Sequence, residues 1–191
     1  MPKVKQFVPE AEEKIKRLVG ELGSITMEQG QLLLPEVDPD KYTFYVRYLY
    51  RNYHLDIVDN MVMVPVGKTN ADYDTIDCLW AAIDNKDSFN LDTLFNAEDP
   101  AAFFYQLNND GGDVQMYVRV RKNNASVVQA MQERYLARQM DDDGLFRYIF
   151  VVDSMDMLDV LSRYEIAIPN TVAVMDSSGL VRPENIKYFQ G

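Results

Sequence analysis

Basic and hydroxyl side chains recur along one predicted helix, and these residue types can contact phosphate. The four residues are Lys41, Thr43, Arg47 and Arg51. The stretch 40–52 also carries an apolar and aromatic set at helical spacing, formed by Tyr42, Tyr45, Val46, Leu49 and Tyr53. The four polar residues fall outside that set. They are therefore predicted to be exposed and to contact the phosphates and base edges of a DNA duplex.

The same four residues have a second interpretation. Exposed cations are ordinary on a helix surface, and the helix could dock another protein instead of DNA. The tyrosines in the stretch are expected to belong to the core rather than to stack on bases. DNA contact is the predicted role of these four residues, and protein docking is the alternative.

Two further helices are predicted before this stretch. The first begins at Pro9, where glutamates favour the positive end of the helix dipole, and it ends at Gly23. Residues Thr26–Gln29 have the pattern of a capping box, which would open a second helix that Pro35 ends.

A two-stranded ribbon is predicted after the third helix. Two β-favouring runs in 54–66 flank Asp59 and Asn60, which are good turn residues. Three helices followed by a ribbon is the order of a winged helix-turn-helix, in which the third helix enters the major groove and the ribbon forms the wing. Residues 1–68 are assigned to this domain.

Charge is distributed unevenly along the chain. The 191 residues carry a net charge of −11, yet residues 1–68 contain nine Lys/Arg against ten Asp/Glu, whereas residues 69–191 contain ten against twenty. A near-neutral first part can present a basic face, although strong non-specific affinity for DNA is not expected.

Composition excludes several classes of protein. No apolar run is long enough to span a membrane, and the first fourteen residues lack a hydrophobic signal core, so a cytoplasmic protein without membrane association is expected. The single cysteine, Cys78, and the single histidine, His54, exclude an internal disulfide and multi-histidine metal sites. Cys78 is expected to be a small buried residue, and no cofactor is expected.

The second part of the chain predicts an α/β domain over 75–191, after a linker at 69–74. Thr75 is expected to cap a helix in which Trp80 anchors the core, and 89–95 to form a short helix or an irregular segment. Strands are predicted over 103–107, 114–121, 145–152 and 171–175, with helices starting at Ser126 and Ser154. This order implies a mixed sheet crossed by helices. No regular element is assigned after the turn at 176–179.

The layout resembles the replication-relaxation family of mobile genetic elements. The stretches that carry the resemblance are Ile25–Gln29, Tyr45–Leu49, Val114–Arg121 with the helix after it, and Arg147–Asp153. The resemblance implies a regulatory DNA-binding protein of a plasmid or conjugative element, with a role in plasmid replication. It also implies that the second domain is similar to the core of restriction-endonuclease-like nucleases.

Those nucleases place an aspartate on one strand and an acidic-x-lysine triplet on the next, because the carboxylates hold Mg²⁺. The corresponding strand here offers only 117–119 and 119–121, which contain neither a carboxylate nor a lysine. Asp110 and Asp113 in a turn, and Glu133 on the following helix, are the remaining candidates. The domain is therefore expected to be non-catalytic and metal-free, and a Mg²⁺-dependent nuclease is the third alternative.

Three other groups of polar residues stand at positions where sites can form. Arg119 and Arg121 share one face of a predicted strand, where they could touch phosphate or pair with the acidic loops of the protein; pairing within the protein is expected. Asp153 is expected to be an ordinary polar strand end, and the Asp141–Asp143 run lacks the alternation of a calcium loop.

The sequence thus predicts an α+β protein with an N-terminal winged helix-turn-helix and a mixed-sheet α/β domain. Its predicted function is non-enzymatic DNA binding or regulation. The alternative function is that of a protein–protein adaptor, whose acidic second domain docks a basic partner.

Overall fold

The computed structural model describes residues 9–85, 91–97, 99–107, 113–138 and 146–190. The chain is α+β and divides into two compact units between Asp72 and Tyr73. No helix in these described ranges is long and apolar enough to cross a membrane.

The first unit contains three helices and a small antiparallel sheet. Its elements are α1 (Pro9–Leu22), β1 (Ile25–Thr26), α2 (Met27–Leu33), α3 (Pro39–Arg51), β2 (Asp56–Val58) and β3 (Val62–Val64). The sheet has the order β1-β3-β2, with Ile25 opposite Met63 and Ile57 also opposite Met63. The three predicted helices and the ribbon are confirmed.

Local hydrogen bonds explain where these elements start and turn. Thr26 Oγ1 accepts from the backbone N–H of Gln29 at 3.1 Å, and Gln29 Oε1 accepts from that of Thr26 at 3.1 Å, so the predicted capping box is confirmed. The Asp38 carboxylate caps α3 by accepting from two backbone N–H groups of its first turn. Asp59 and Asn60 have φ values of 49° and 62°, as a tight hairpin turn requires.

The inner side of α3 packs into the core of the first unit. Tyr42, Tyr45, Val46 and Leu49 are buried as predicted, but Tyr53 is 82% exposed, so its assignment to the buried face was wrong. Tyr53 follows the end of α3 and has a φ of 58°, which turns the chain away from the helical path.

The second unit is built around a six-stranded mixed sheet. Its elements are α4 (Tyr73–Asp84), β4 (Phe95–Asn96), β5 (Ala101–Gln106), β6 (Val114–Arg119), α5 (Val127–Arg138), β7 (Phe146–Val152), α6 (Asp156–Leu161), β8 (Asn170–Met175) and β9 (Ile186–Gln190). The strand order is β4-β5-β6-β7-β8-β9. β7 runs parallel to β6 and β8, whereas the other neighbours are antiparallel, so the predicted mixed sheet is confirmed.

Both faces of the central strands are covered. Tyr148, Phe150 and Val152 of β7 pack in a core that includes residues of α5 and α6, whereas α4 packs against β5, β6 and β7. This explains why β7 reads as an almost continuous apolar run. Trp80 and Cys78 on α4 are buried, and both of those predictions are confirmed.

Several predicted boundaries in the second unit were wrong. α4 begins at Tyr73, so Thr75 is a buried residue of its first turn and not the residue before it. The short strands β4 and β9 were not predicted, and α6 begins at Asp156 rather than at Ser154. Asp110 and the Asp141–Asp143 run lie outside the described residues.

Candidate nucleic-acid interface

One side of α3 faces away from the core and forms an open groove. We call this surface the outer face of α3; it consists of Asp40, Thr43, Phe44, Arg47, Tyr48 and Arg51, which line a space of about 540 Å³. The residues recur three or four positions apart, so they form one stripe along the helix. The eleven residue-to-residue steps from Asp40 to Arg51, at a rise of about 1.5 Å each, give the stripe a length of about 16 Å.

Three of the four predicted DNA-binding residues lie together on this face. They are Thr43, Arg47 and Arg51. Lys41 lies elsewhere: it lines a second groove with Lys14 and three acidic residues, Glu10, Glu36 and Asp38. Helical spacing explains the separation, because Lys41 adjoins the buried Tyr42 and Tyr45 rather than the middle of the exposed stripe.

The arginines of the outer face differ from the paired lysine nearby. Arg47 and Arg51 are exposed, and within the described ranges neither guanidinium makes an ion pair or a hydrogen bond. Lys14, by contrast, lies 3.0 Å from a Glu36 oxygen and 3.3 Å from a Glu10 oxygen, and the hydrogen bond to Glu36 is the main cause of its raised pKa. The outer face therefore holds cations that could pair with an external anion.

Two aromatic rings lie on the same face: Phe44 was missed by the sequence interpretation, and the expectation that Tyr48 belongs to the core was wrong. Phe44 is 48% exposed and Tyr48 is 39% exposed. The Phe44 ring packs edge-on against the buried Tyr45 ring, with 5.8 Å between the ring centroids. Tyr45 therefore supports one side of the Phe44 side chain. The signal was present in the sequence, since Phe44 and Tyr48 are four residues apart and each directly follows a predicted DNA-binding residue, Thr43 or Arg47.

The β2–β3 hairpin contributes no cation. Residues 56–64 contain two aspartates and neither lysine nor arginine. The Asp56 carboxylate accepts from the backbone N–H of Gly67 at 2.8 Å, and the Lys68 ammonium donates to the Gly23 carbonyl at 3.0 Å. These charged groups near the hairpin thus stabilise the fold, in contrast to the arginines on the outer face of α3.

Two arginines of the second unit, Arg119 and Arg121, are paired internally. Arg119, on β6, is buried; its Nε donates to Asp77 at 2.9 Å, its Nη1 to the Val151 carbonyl at 2.8 Å and its Nη2 to Asp153. Arg121 Nε donates to Asp74 at 2.9 Å. The predicted pairing within the protein is confirmed, although the partners are on α4 and at the end of β7.

Opposing effects act on the pKa of the Asp77 carboxyl. Burial raises its pKa, while the backbone N–H of Gly179 and the guanidinium of Arg119 oppose that rise. The segment around Gly179 is tied to α4 a second time, because the Trp80 indole N–H donates to the Gly179 carbonyl at 3.1 Å. Asp77 and Arg119 therefore join α4 to the sheet.

Two of the candidate carboxylates for magnesium, Asp113 and Glu133, lie among the described residues. Glu133 is exposed on α5, and Asp113 has Arg147 as a neighbour at 3.7 Å. In the described part of the chain, no group of three or more His, Cys, Asp or Glu side chains is placed to hold a metal ion.

Comparison with known proteins gives no match: no family model, no curated protein and no solved structure is similar to this chain.

Proposed function

We propose that the chain is a DNA-binding regulatory protein that contacts duplex DNA through the outer face of α3. The observation that carries the proposal is the pair Arg47 and Arg51, which are exposed on one helix face and have no partner among the described residues. Arginine donates several hydrogen bonds in a fixed planar array, so it can pair with a phosphate or with a guanine edge.

The order of elements in the first unit supports this role for α3. A winged helix has the element order found here, which is α1, β1, α2, α3 and then the β2–β3 hairpin. In a winged helix the third helix lies in the major groove. A stripe of about 16 Å spans about five base pairs at about 3.4 Å per pair. We propose that Arg47, Arg51 and Thr43 make the main contacts and that Lys41, among carboxylates, contributes less.

Charge sets the expected strength of this binding. Few cations face the DNA, and the net charge of −11 opposes the approach of a polyanion. We therefore propose micromolar affinity at low salt that weakens as salt is raised. The setting implied by the resemblance, replication control in a plasmid or conjugative element, is part of this proposal.

Fluorescence anisotropy with labelled random duplex at low and moderate salt tests the proposal. Arg47→Glu should weaken binding about tenfold or more, because it replaces a contacting cation with an anion. The matched control is Arg134→Glu, which makes the same charge change at an exposed position of α5. Equal losses in both variants, or no binding by the unaltered protein at micromolar concentration, would contradict the role of α3.

A protein–protein adaptor is the second candidate function. The observation that favours it is the excess of ten acidic residues in 69–191, which suits a basic partner. An adaptor should leave random duplex unbound and form a defined complex with its partner in size-exclusion chromatography.

A further inference from the structure

The outer face of α3 carries apolar surface beside its cations, and phosphate binding alone does not explain it. Nearly half of Phe44, 48%, is exposed to solvent. Phosphates offer no apolar contact, so an exposed phenyl ring gains nothing from them. If the face meets DNA, the exposed part of the ring is placed to contact an apolar group rather than a phosphate.

The major groove has one apolar group on its base edges, the C5-methyl of thymine. We infer that Phe44, with Tyr48, contacts thymine methyl groups in the major groove, so that the protein prefers thymine-containing duplex. This inference rests on the proposed function of α3. It adds a preference for thymine, which Arg47 and Arg51 would not produce.

The spacing of the two rings fits this ligand. Phe44 and Tyr48 are about one helical turn apart, which separates them by about 6 Å along the axis. Two base-pair steps separate bases on one strand by about 7 Å. The two rings can therefore reach methyl groups two steps apart, while Arg47 and Arg51, also four residues apart, contact the polar groups beside them.

Support beneath Phe44 favours a contact of fixed geometry. Its ring rests edge-on against Tyr45, which is 2% exposed, so one side of the phenyl ring is already packed against the core. Tyr45 in turn lies on the inner side of α3, next to the buried Val46. Little side-chain freedom would be lost when Phe44 meets a methyl group.

The test compares two duplex pools of the same random sequence, one with thymine and the other with deoxyuridine in its place. Deoxyuridine lacks only the methyl group, so phosphates and hydrogen-bonding edges are unchanged. The 191-residue chain should bind the thymine pool several-fold more tightly, since one buried methyl contributes roughly fourfold. Phe44→Ala should reduce the preference to the share that Tyr48 contributes, and Phe44→Leu should retain more of it.

Leu136→Ala is the matched control, because Leu136 is an exposed apolar residue of α5, 51% exposed; it should leave the preference intact. Salt-sensitive binding that is equal for the two pools would overturn the methyl contact while leaving the proposed function standing. Absence of binding to both pools would overturn the proposed function and, with it, this inference. A preference that is undiminished in Phe44→Ala would also overturn the assignment to this ring.

Discussion

Two pairs of arginines in this protein stand in opposite environments. Arg47 and Arg51 lie on the outer face of α3, where the described residues offer them no partner. Arg119 and Arg121 lie at the end of β6 and beyond it, where three aspartates receive their hydrogen bonds: Asp77, Asp153 and Asp74. Residue type alone therefore does not mark a binding surface. A cation whose partners are all internal supports the fold, whereas one without such partners is available to a ligand.

The largest effect is expected when the internal ion pair between Arg119 and Asp77 is broken. Arg119→Ala leaves Asp77 buried without its guanidinium partner, so the free energy of unfolding should fall by about 3–5 kcal/mol. Urea denaturation followed by circular dichroism measures the loss. The control is Arg121→Ala, whose side chain is 35% exposed and should cost less than about 1 kcal/mol. Similar small losses in both variants would show that burial does not distinguish the two arginines.

A medium effect concerns the inner side of α3, which holds the outer face in place. A Cβ at Gly30 would collide with the Tyr42 hydroxyl oxygen, so Gly30→Ala must displace the buried Tyr42. Overpacking of this kind should lower the free energy of unfolding by about 1–3 kcal/mol.

The matched control for Gly30→Ala is Gly20→Ala. Gly20 is an exposed residue of α1, and a Cβ added there would have no neighbouring atom within 4 Å, so the replacement should stabilise by about 0.5–1 kcal/mol. Thermal unfolding of both variants measures whether each replacement raises or lowers the stability of the protein. A stability gain in Gly30→Ala would contradict the close packing of α2 against Tyr42.

The sequence predicted the elements whose signals are local. The helical apolar spacing of α1 and α3, the Thr26–Gln29 capping box and the Asp59-Asn60 turn all depend on neighbouring residues. The continuous apolar run of β7 likewise indicated a strand covered on both faces. These features needed no knowledge of distant contacts.

Elements that depend on distant partners were missed. β1 and β4 have two residues each, and β1 pairs with β3 almost forty positions later, so neither has a pattern long enough to detect. β9 is an edge strand whose residues are only half buried or exposed, which gives a weak alternation. The predicted strands could be placed in a mixed sheet, but the edge strands of that sheet could not be predicted.

The candidate site was predicted only in part, because only some of its residues have a local signal in the sequence. Arg47 and Arg51 follow from their positions outside the apolar set of α3, yet Lys41 was grouped with them although it lines another groove. Phe44 was missed because an aromatic residue type does not by itself indicate exposure. Asp77 gave no signal, since its partner Arg119 is 42 positions away in the sequence.

The salt dependence of duplex binding tests the central claim most directly. Each phosphate contact contributes about −0.9 to the slope of log affinity against log salt concentration. If Arg47 and Arg51 both contact phosphate, their joint replacement by alanine should make the slope shallower by about 2, while Arg134→Ala leaves it unchanged. A slope and an affinity that are both the same in the double variant and in the unaltered protein would contradict DNA contact through the outer face of α3.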